Sequence, residues 1–267
     1  MKVVLFCGGL GMRLREYSET LPKPMVEIGT RPLLWHIMKY YASFGHKEFI
    51  LCLGYKGDFI KKYFLNYNEW LSNNFVLSNG GKDVKMLNTD TQDWKITFVD
   101  TGLHSNIGQR LRAAEEYLDG EETFLANYSD GLTDLPLPDY IDQFLKSKKI
   151  ACFLAVKPTS SFHVVEIGEG HCVKRIRHLT DSEIWMNGGF FVFRKEIFRH
   201  IRPGEELVNE PFQRLIEKGA LLSQKYNGFW VCMDTFKDKQ VLDDIYSQGD
   251  APWEVWKSRK ANVEKNR

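Results

Sequence analysis

Short apolar runs suited to buried strands alternate along this chain with stretches of helical periodicity, a pattern that points to an open, mostly parallel sheet covered by helices. Val3 to Cys7 is apolar throughout, as expected of a strand buried on both faces. Leu33, Leu34, Ile37, Met38 and Tyr41 recur at helical spacing after Pro32, and Gly45 supplies a stop. Glu48 to Leu53 reads as the next strand, Asp58 as the cap of a helix running toward Leu71, and Lys95 to Val99 as a third strand. A helix near Arg112 to Leu118, a strand from Thr123 to Ala126, a helix near Asp139 to Lys146 and a strand from Ile150 to Val156 continue the series. Beyond Val164 the signal changes. Short strands from Val164 to Ile167, Val173 to Ile176 and Phe190 to Arg194 predict a small antiparallel insertion or edge region, and further helices are expected near Glu206 to Glu217 and Lys237 to Tyr246.

With 43% hydrophobic residues in a chain of 267, one substantial core is possible, so residues 1–257 are expected to form one domain. Residues 258–267 are charged and lack apolar periodicity, which predicts a frayed tail. The 36 basic and 35 acidic residues nearly cancel, which excludes the broad positive field that binds nucleic acid or an anionic membrane. No stretch approaches membrane-spanning length, and the apolar run after Lys2 ends at Gly8 too early for a signal peptide. The five cysteines are scattered, odd in number and without zinc-ligand spacing, as in reduced, buried thiols. A soluble, cytoplasmic protein is the expectation.

Chemistry enters at Gly8-Gly9-Leu10-Gly11-Met12-Arg13-Leu14, directly after the first strand. Glycines there let backbone amides approach a phosphate, at the sheet edge where open α/β folds bind ligands. Leu14 stands where a dinucleotide fold needs a third glycine, and no Gly-Lys-Ser/Thr follows, so both familiar glycine motifs fail. A tight turn without a ligand remains the alternative. Two cations tip the balance toward a phosphate: Arg13 within the loop, and Lys23, stiffened between Pro22 and Pro24. Two carboxylates complete the set. Asp130 follows one predicted strand and Asp234 the apolar run Phe229 to Met233, and two such groups suit one hard cation such as Mg²⁺, although turns and helix caps also favour Asp.

Taken in order, Gly8 to Arg13, Pro22-Lys23-Pro24-Met25-Val26-Glu27-Ile28-Gly29, Leu34 to Lys39, Gly54-Tyr55-Lys56-Gly57, Asp100-Thr101-Gly102, Asn187 to Val192, and Gly228-Phe229-Trp230 with Met233-Asp234-Thr235 closely resemble the glucose-1-phosphate cytidylyltransferases, which are sugar-1-phosphate nucleotidyltransferases. The resemblance runs from Met1 to about Lys257. It implies a Rossmann-like α/β domain with a mixed, mostly parallel sheet, helices on both faces, a small antiparallel sugar-binding part, and assembly into homo-oligomers. It implies transfer of a nucleotidyl group, CMP first and uridylyl or thymidylyl next, from a nucleoside triphosphate (CTP) to a sugar 1-phosphate with Mg²⁺ as cofactor. Position by position, Phe6, Cys7, Gly8, Gly9, Leu10, Gly11, Met12 and Arg13 would surround base and triphosphate. Lys23 and Arg110 would contact phosphates, Ser105 and Ser129 would line the nucleotide site, and Asp130 with Asp234 would bind the metal.

The departures are equally specific. Met12 replaces a threonine and Ser129 a glycine of the family pattern. Where the family carries Glu-Lys-Pro, whose lysine grips the sugar phosphate, this chain has Arg177-His178-Leu179. His178, helped by Arg177 or Arg175, is then the expected anchor, with Asn187, Gly188 and Trp230 on the sugar side; an ordinary surface role for His178 is the alternative. His36 and most of the tryptophans read as core, and Pro252 to Trp256 as a clasp on the body or a subunit contact. A non-catalytic nucleotide-sugar binder would need no metal pair, and a nicotinamide-dependent oxidoreductase would need the missing third glycine.

Overall fold

The structure is a computed structural model that describes residues 1–10, 21–159 and 162–257. Gly11, Met12, Arg13 and the tail 258–267 lie outside the described residues. Strand β1 (Val3–Phe6) is followed by a 3₁₀ turn (Lys23–Met25), the hairpin β2 (Glu27–Ile28) and β3 (Arg31–Pro32), helix α1 (Leu33–Ser43), strand β4 (Glu48–Leu53) and helices α2 (Gly57–Leu65) and α3 (Glu69–Ser72). A second hairpin, β5 (Phe75–Ser78) with β6 (Asp83–Met86), precedes β7 (Lys95–Asp100), α4 (Ile107–Ala114) and β8 (Thr123–Tyr128). Next come β9 (Gly131–Thr133), α5 (Leu137–Lys146), β10 (Ala151–Val156), the hairpin β11 (His163–Ile167) with β12 (Val173–His178), and β13 (Met186–Asn187) with β14 (Phe191–Arg194). Helix α6 (Glu210–Glu217), β15 (Leu221–Tyr226), β16 (Trp230–Cys232) and α7 (Phe236–Ser247) complete the described order.

The main sheet runs β15, β10, β14, β8, β1, β4, β7, and β13 joins β10 on the same side as β14. Every neighbouring pair is parallel except those made by β13 and β14. Side chains alternate through the sheet into two cores. Val3, Leu5, Phe49 and Leu51 pack with α1, α5 and Trp253 on one face. Val4, Phe6, Ile50 and Cys52 pack with Leu111 of α4 and with Phe212 and Leu215 of α6 on the other. Helices on both faces explain why β1 has no polar alternation. Because the strands run the same way, the segments after β1, β4, β7, β8 and β10 all emerge along one edge, and that edge holds the site.

Three expected helices are corrected. Asp58 does not cap α2: Lys56, with φ +50°, precedes its first residue, Gly57, and the helix ends at Leu65, with Asn68 capping the separate α3. The helix expected at Arg112 to Leu118 starts earlier, at Ile107, where Asn106 and Gln109 form a capping box, and it tightens to a 3₁₀ turn at Glu115–Tyr117. Pro211 marks the first turn of α6, so that helix begins at Glu210 and not Glu206. The segment does clasp the body: Trp253 is fully buried and its Nε1 donates to His36 Nδ1 (3.3 Å).

Candidate active site

Along the carboxyl edge lies a cleft of about 430 Å³, lined by Phe6, Gly9, Lys23, Pro24, Ser105, Asn106, Ile107, Arg110, Tyr128, Ser129, Asp130, Glu206 and Asp234. Pairing of β9 with β16 places Gly131 opposite Cys232, and Met233 N donates to Asp130 O (2.9 Å) just beyond. That ladder end brings Asp130 and Asp234 together across a long stretch of chain. Asp234 is held in place by α7, whose capping box joins Thr235 and Asp238 and also binds the Asp234 amide (3.0 Å). Between the carboxylates sits Lys23, its Nζ donating to Asp130 Oδ2 (2.8 Å) and Asp234 Oδ1 (2.6 Å). Pro24 and Met25 are buried, so the turn carrying Lys23 is anchored by its own apolar side chains. Burial pushes the Lys23 ammonium toward neutrality, but Asp130 and the two hydrogen bonds outweigh it and the pKa is raised. The lysine therefore stays charged.

The donor set fits a divalent cation. Ligand atoms of Asp130, Asp234 and Cys232 lie within 4.8 Å of one another, two hard carboxylates with a thiol beside them, and an ammonium already stands where positive charge is required. Cys232, read from sequence as an inert buried thiol, is the unexpected member; burial, then Asp130, raises its pKa.

Arg110 reaches the cleft from α4 but spends its donors on the protein. Nη1 donates to Leu53 O (3.1 Å), Thr101 Oγ1 (2.6 Å) and Gly102 O (3.0 Å), and Nη2 to Gly8 O (2.9 Å) and Leu103 O (3.5 Å). One guanidinium thus ties together the segments after β1, β4 and β7. Gly8 is glycine for that reason, because a Cβ there would stand 2.0 Å from Arg110 Nη1. Ser129 Oγ donates to Phe6 O (2.8 Å) and fastens β8 to β1, while Ser105 Oγ donates to Thr101 O. Cys7 is buried, and Leu10 is exposed outside the cleft lining.

Of the residues expected on the sugar side, Asn187 Nδ2 donates to Tyr128 Oη (3.4 Å), and Trp230 Nε1 donates to Gly188 O (3.0 Å) close beside Gly131. His178 closes the β11–β12 hairpin and is not part of the cleft lining, with Nδ1 paired to Thr180 Oγ1 (2.6 Å) and its ring edge-on to His163. Tyr128, Asn106, Ile107, Pro24 and Glu206 line the cleft without having been singled out in the sequence. Only Asn106 carried a signal, as the first residue of Asn-x-x-Gln ahead of α4.

A cleft large enough for a nucleotide at the strand ends of a doubly covered sheet, with a lysine and paired carboxylates, defines an enzyme that handles phosphorylated nucleotides. The model of the family described as nucleotidyl transferase matches residues 2–238. A probable glucose-1-phosphate cytidylyltransferase of Bacillus subtilis and the glucose-1-phosphate cytidylyltransferase of Salmonella typhimurium are each 38% identical to this chain over 258 residues, covering 96% of it and 100% of the relative. A UDP-glucose pyrophosphorylase structure superposes with a TM-score of 0.68 at 16% identity over 93% of this chain and 98% of its own. A putative glucose-1-phosphate thymidylyltransferase of Bacillus anthracis gives 0.65 at 16% identity over 92% and 94%, and these two likenesses speak for the fold. The chain is a nucleotidyltransferase and belongs to the glucose-1-phosphate cytidylyltransferase family.

Proposed function

We propose that this enzyme transfers CMP from CTP to a sugar 1-phosphate, glucose 1-phosphate foremost, to give pyrophosphate and CDP-glucose. The observation that carries the reading is Lys23 held between Asp130 and Asp234 in the lining of the cleft. An oxygen of the sugar phosphate attacks the α-phosphorus in line; the new P–O bond forms as the bond to the β-phosphate breaks, and both electrons leave with pyrophosphate. No covalent intermediate on the chain and no proton transfer are required. Asp130 and Asp234 would hold Mg²⁺, which would neutralise part of the triphosphate charge. Lys23, already desolvated and fixed, meets the charge growing on the leaving group, and Arg13 of the glycine loop is assigned the same task. Phe6, Gly9 and Ser129, which line the cleft, are assigned to base and ribose. A cytoplasmic location, expected from the scattered cysteines, belongs to the same reading, and a homo-oligomer, implied by the family resemblance, is to be read by sedimentation of the purified chain. No helix among the described residues is long and apolar enough to cross a membrane.

The test is pyrophosphate release with Mg²⁺, crossing CTP, UTP, dTTP, ATP and GTP against a panel of sugar 1-phosphates, with Asp130→Asn as control. CTP is expected to lead, and the variant to lose about 10²-fold or more in kcat while keeping its melting temperature. Equal turnover by the variant sinks the metal assignment; preference for UTP or dTTP replaces the base while leaving the chemistry.

A further inference from the structure

The family's acceptor lysine has no counterpart at position 178, yet two other lysines converge on Trp185, two strands from Asn187 of the expected sugar side. Lys157 directly follows β10, and Lys225 lies in β15, where it pairs in parallel register with Ala155 of β10. Their ammonium groups stand 4.6 Å and 4.9 Å from the centroid of one ring, that of Trp185. Strand alternation puts Lys157, Ala155 and Phe153 on one face of β10, the face of the second core, from which α4 contributes to the nucleotide cleft. On its other side Ala155 pairs with Asn187, whose amide reaches the Tyr128 hydroxyl in the cleft. One rung of the sheet therefore leads from the cleft through Asn187 and Ala155 to Lys225, a span of about two strand spacings, roughly 10 Å. Lys157 lies at the same carboxyl edge from which Asp130 emerges.

Charge makes this arrangement unusual. Two ammonium groups close to one ring repel each other, and among the described residues neither has an ion-pair partner; Lys157 donates only to the Ser182 carbonyl. Other lysines without an ion pair among the described residues, such as Lys2 and Lys149, stand alone on backbone carbonyls, whereas these two share one ring. Resting on the nucleotidyl-transfer reading above, we propose that Lys157 and Lys225, aligned by the face of Trp185, bind the phosphate of the acceptor sugar 1-phosphate. The anion supplies the counter-charge that the fold omits, and the lysine pair replaces the anchor missing at His178.

Steady-state kinetics on Lys157→Ala, Lys225→Ala and the double variant test this, with Lys157→Arg and Lys225→Arg as charge-conserving rescues. The KM for the sugar 1-phosphate should rise roughly 10-fold to 100-fold with each alanine, as expected for loss of a hydrogen bond to a charged group, while the KM for CTP and the melting temperature stay put. Inorganic phosphate, competing against the sugar phosphate, should show a matching rise in its inhibition constant. His178→Ala should leave both constants unchanged. A wild-type enzyme that turns over, beside a double variant whose sugar-phosphate KM and phosphate inhibition constant lie within about twofold of it, overturns the lysine assignment alone. Absence of pyrophosphate release by the wild type with every substrate pair overturns the transfer reading first, and the lysine assignment with it.

Discussion

Arg110 shows how a residue read as a ligand contact acts through the backbone. Its exposure is 3%, and burial depresses the guanidinium pKa without taking away its charge. Removing it takes a charged donor from the carbonyls of Gly8, Leu53 and Gly102; Gly8 O keeps Tyr55 N (3.3 Å) and Leu53 O keeps Thr101 N (3.0 Å), so the cost is that of lost charge-assisted bonds, roughly 1.5–3 kcal/mol each. Arg110→Met is therefore expected to lose several kcal/mol of stability by chemical denaturation. Gly8→Ala forces the guanidinium aside from the opposite direction, since the added Cβ has 2.0 Å where a contact needs well over 3 Å. The two changes attack one clamp, so their costs should not add. In an Arg110→Lys background, which frees the space beside Gly8, the alanine should cost at least about 1 kcal/mol less than in the wild type. Strict additivity in that double-mutant cycle would show that Gly8 is glycine for another reason.

At the scale of elements, sequence and structure part company wherever a start signal was read from one residue. Asp58 is a good capping residue, but Gly57 is already helical and the preceding Lys56 takes the left-handed turn, so Asp58 falls in the first turn and pairs with Lys62 instead. Pro211 and the Asn106-x-x-Gln109 box were the stronger signals, and both fall at the helix starts found. The central strands were legible because burial on both faces leaves them wholly apolar, whereas β15 was not, since its Ser223, Gln224 and Lys225 belong to a sheet edge. Within the site, Lys23, Asp130 and Asp234 could be read locally from prolines and strand ends. The β9–β16 pairing that joins the two aspartates could not, because non-local register leaves no mark in either segment alone. The capping box yields a prediction of its own. Asn106 Oδ1 accepts from Gln109 N (2.9 Å) and Nδ2 donates to Gly204 O (2.9 Å), so Asn106→Ala loses both a cap and a tether to the segment before α6. A loss of about 1–2 kcal/mol is expected in urea unfolding, with a rise in the KM for CTP because α4 carries Arg110. Unchanged stability would mean that water replaces both contacts at no net loss.

For the molecule as a whole, the two cores are closed differently, and the one under α1 contains a titratable group. His36 is 1% exposed, shares its surroundings with Trp35, Tyr246, Trp253 and Trp256, and makes two directed contacts. Trp253 donates to Nδ1, so the ring proton is on Nε2 and is given to the Ile28 carbonyl (3.1 Å); the neutral tautomer satisfies both. Burial, opposed in part by that carbonyl, lowers the His36 pKa from 6.5 to about 4. The sign follows directly. Between those values the unfolded chain binds a proton that the folded chain refuses, so stability is complete above about pH 6.5 and is lost as pH falls toward 4, by on the order of a few kcal/mol. Since Trp253 is what seats the final segment over this core, protonation works against the clasp itself. Urea midpoints measured between pH 7.5 and 4.5 should fall for the wild type, and His36→Gln, which keeps a polar side chain but cannot titrate there, should fall less steeply despite starting lower. Parallel slopes for the two proteins would place the acid sensitivity in the carboxylates and in His46, whose pKa is likewise lowered to about 4 by burial, and would acquit the buried ring under Trp253.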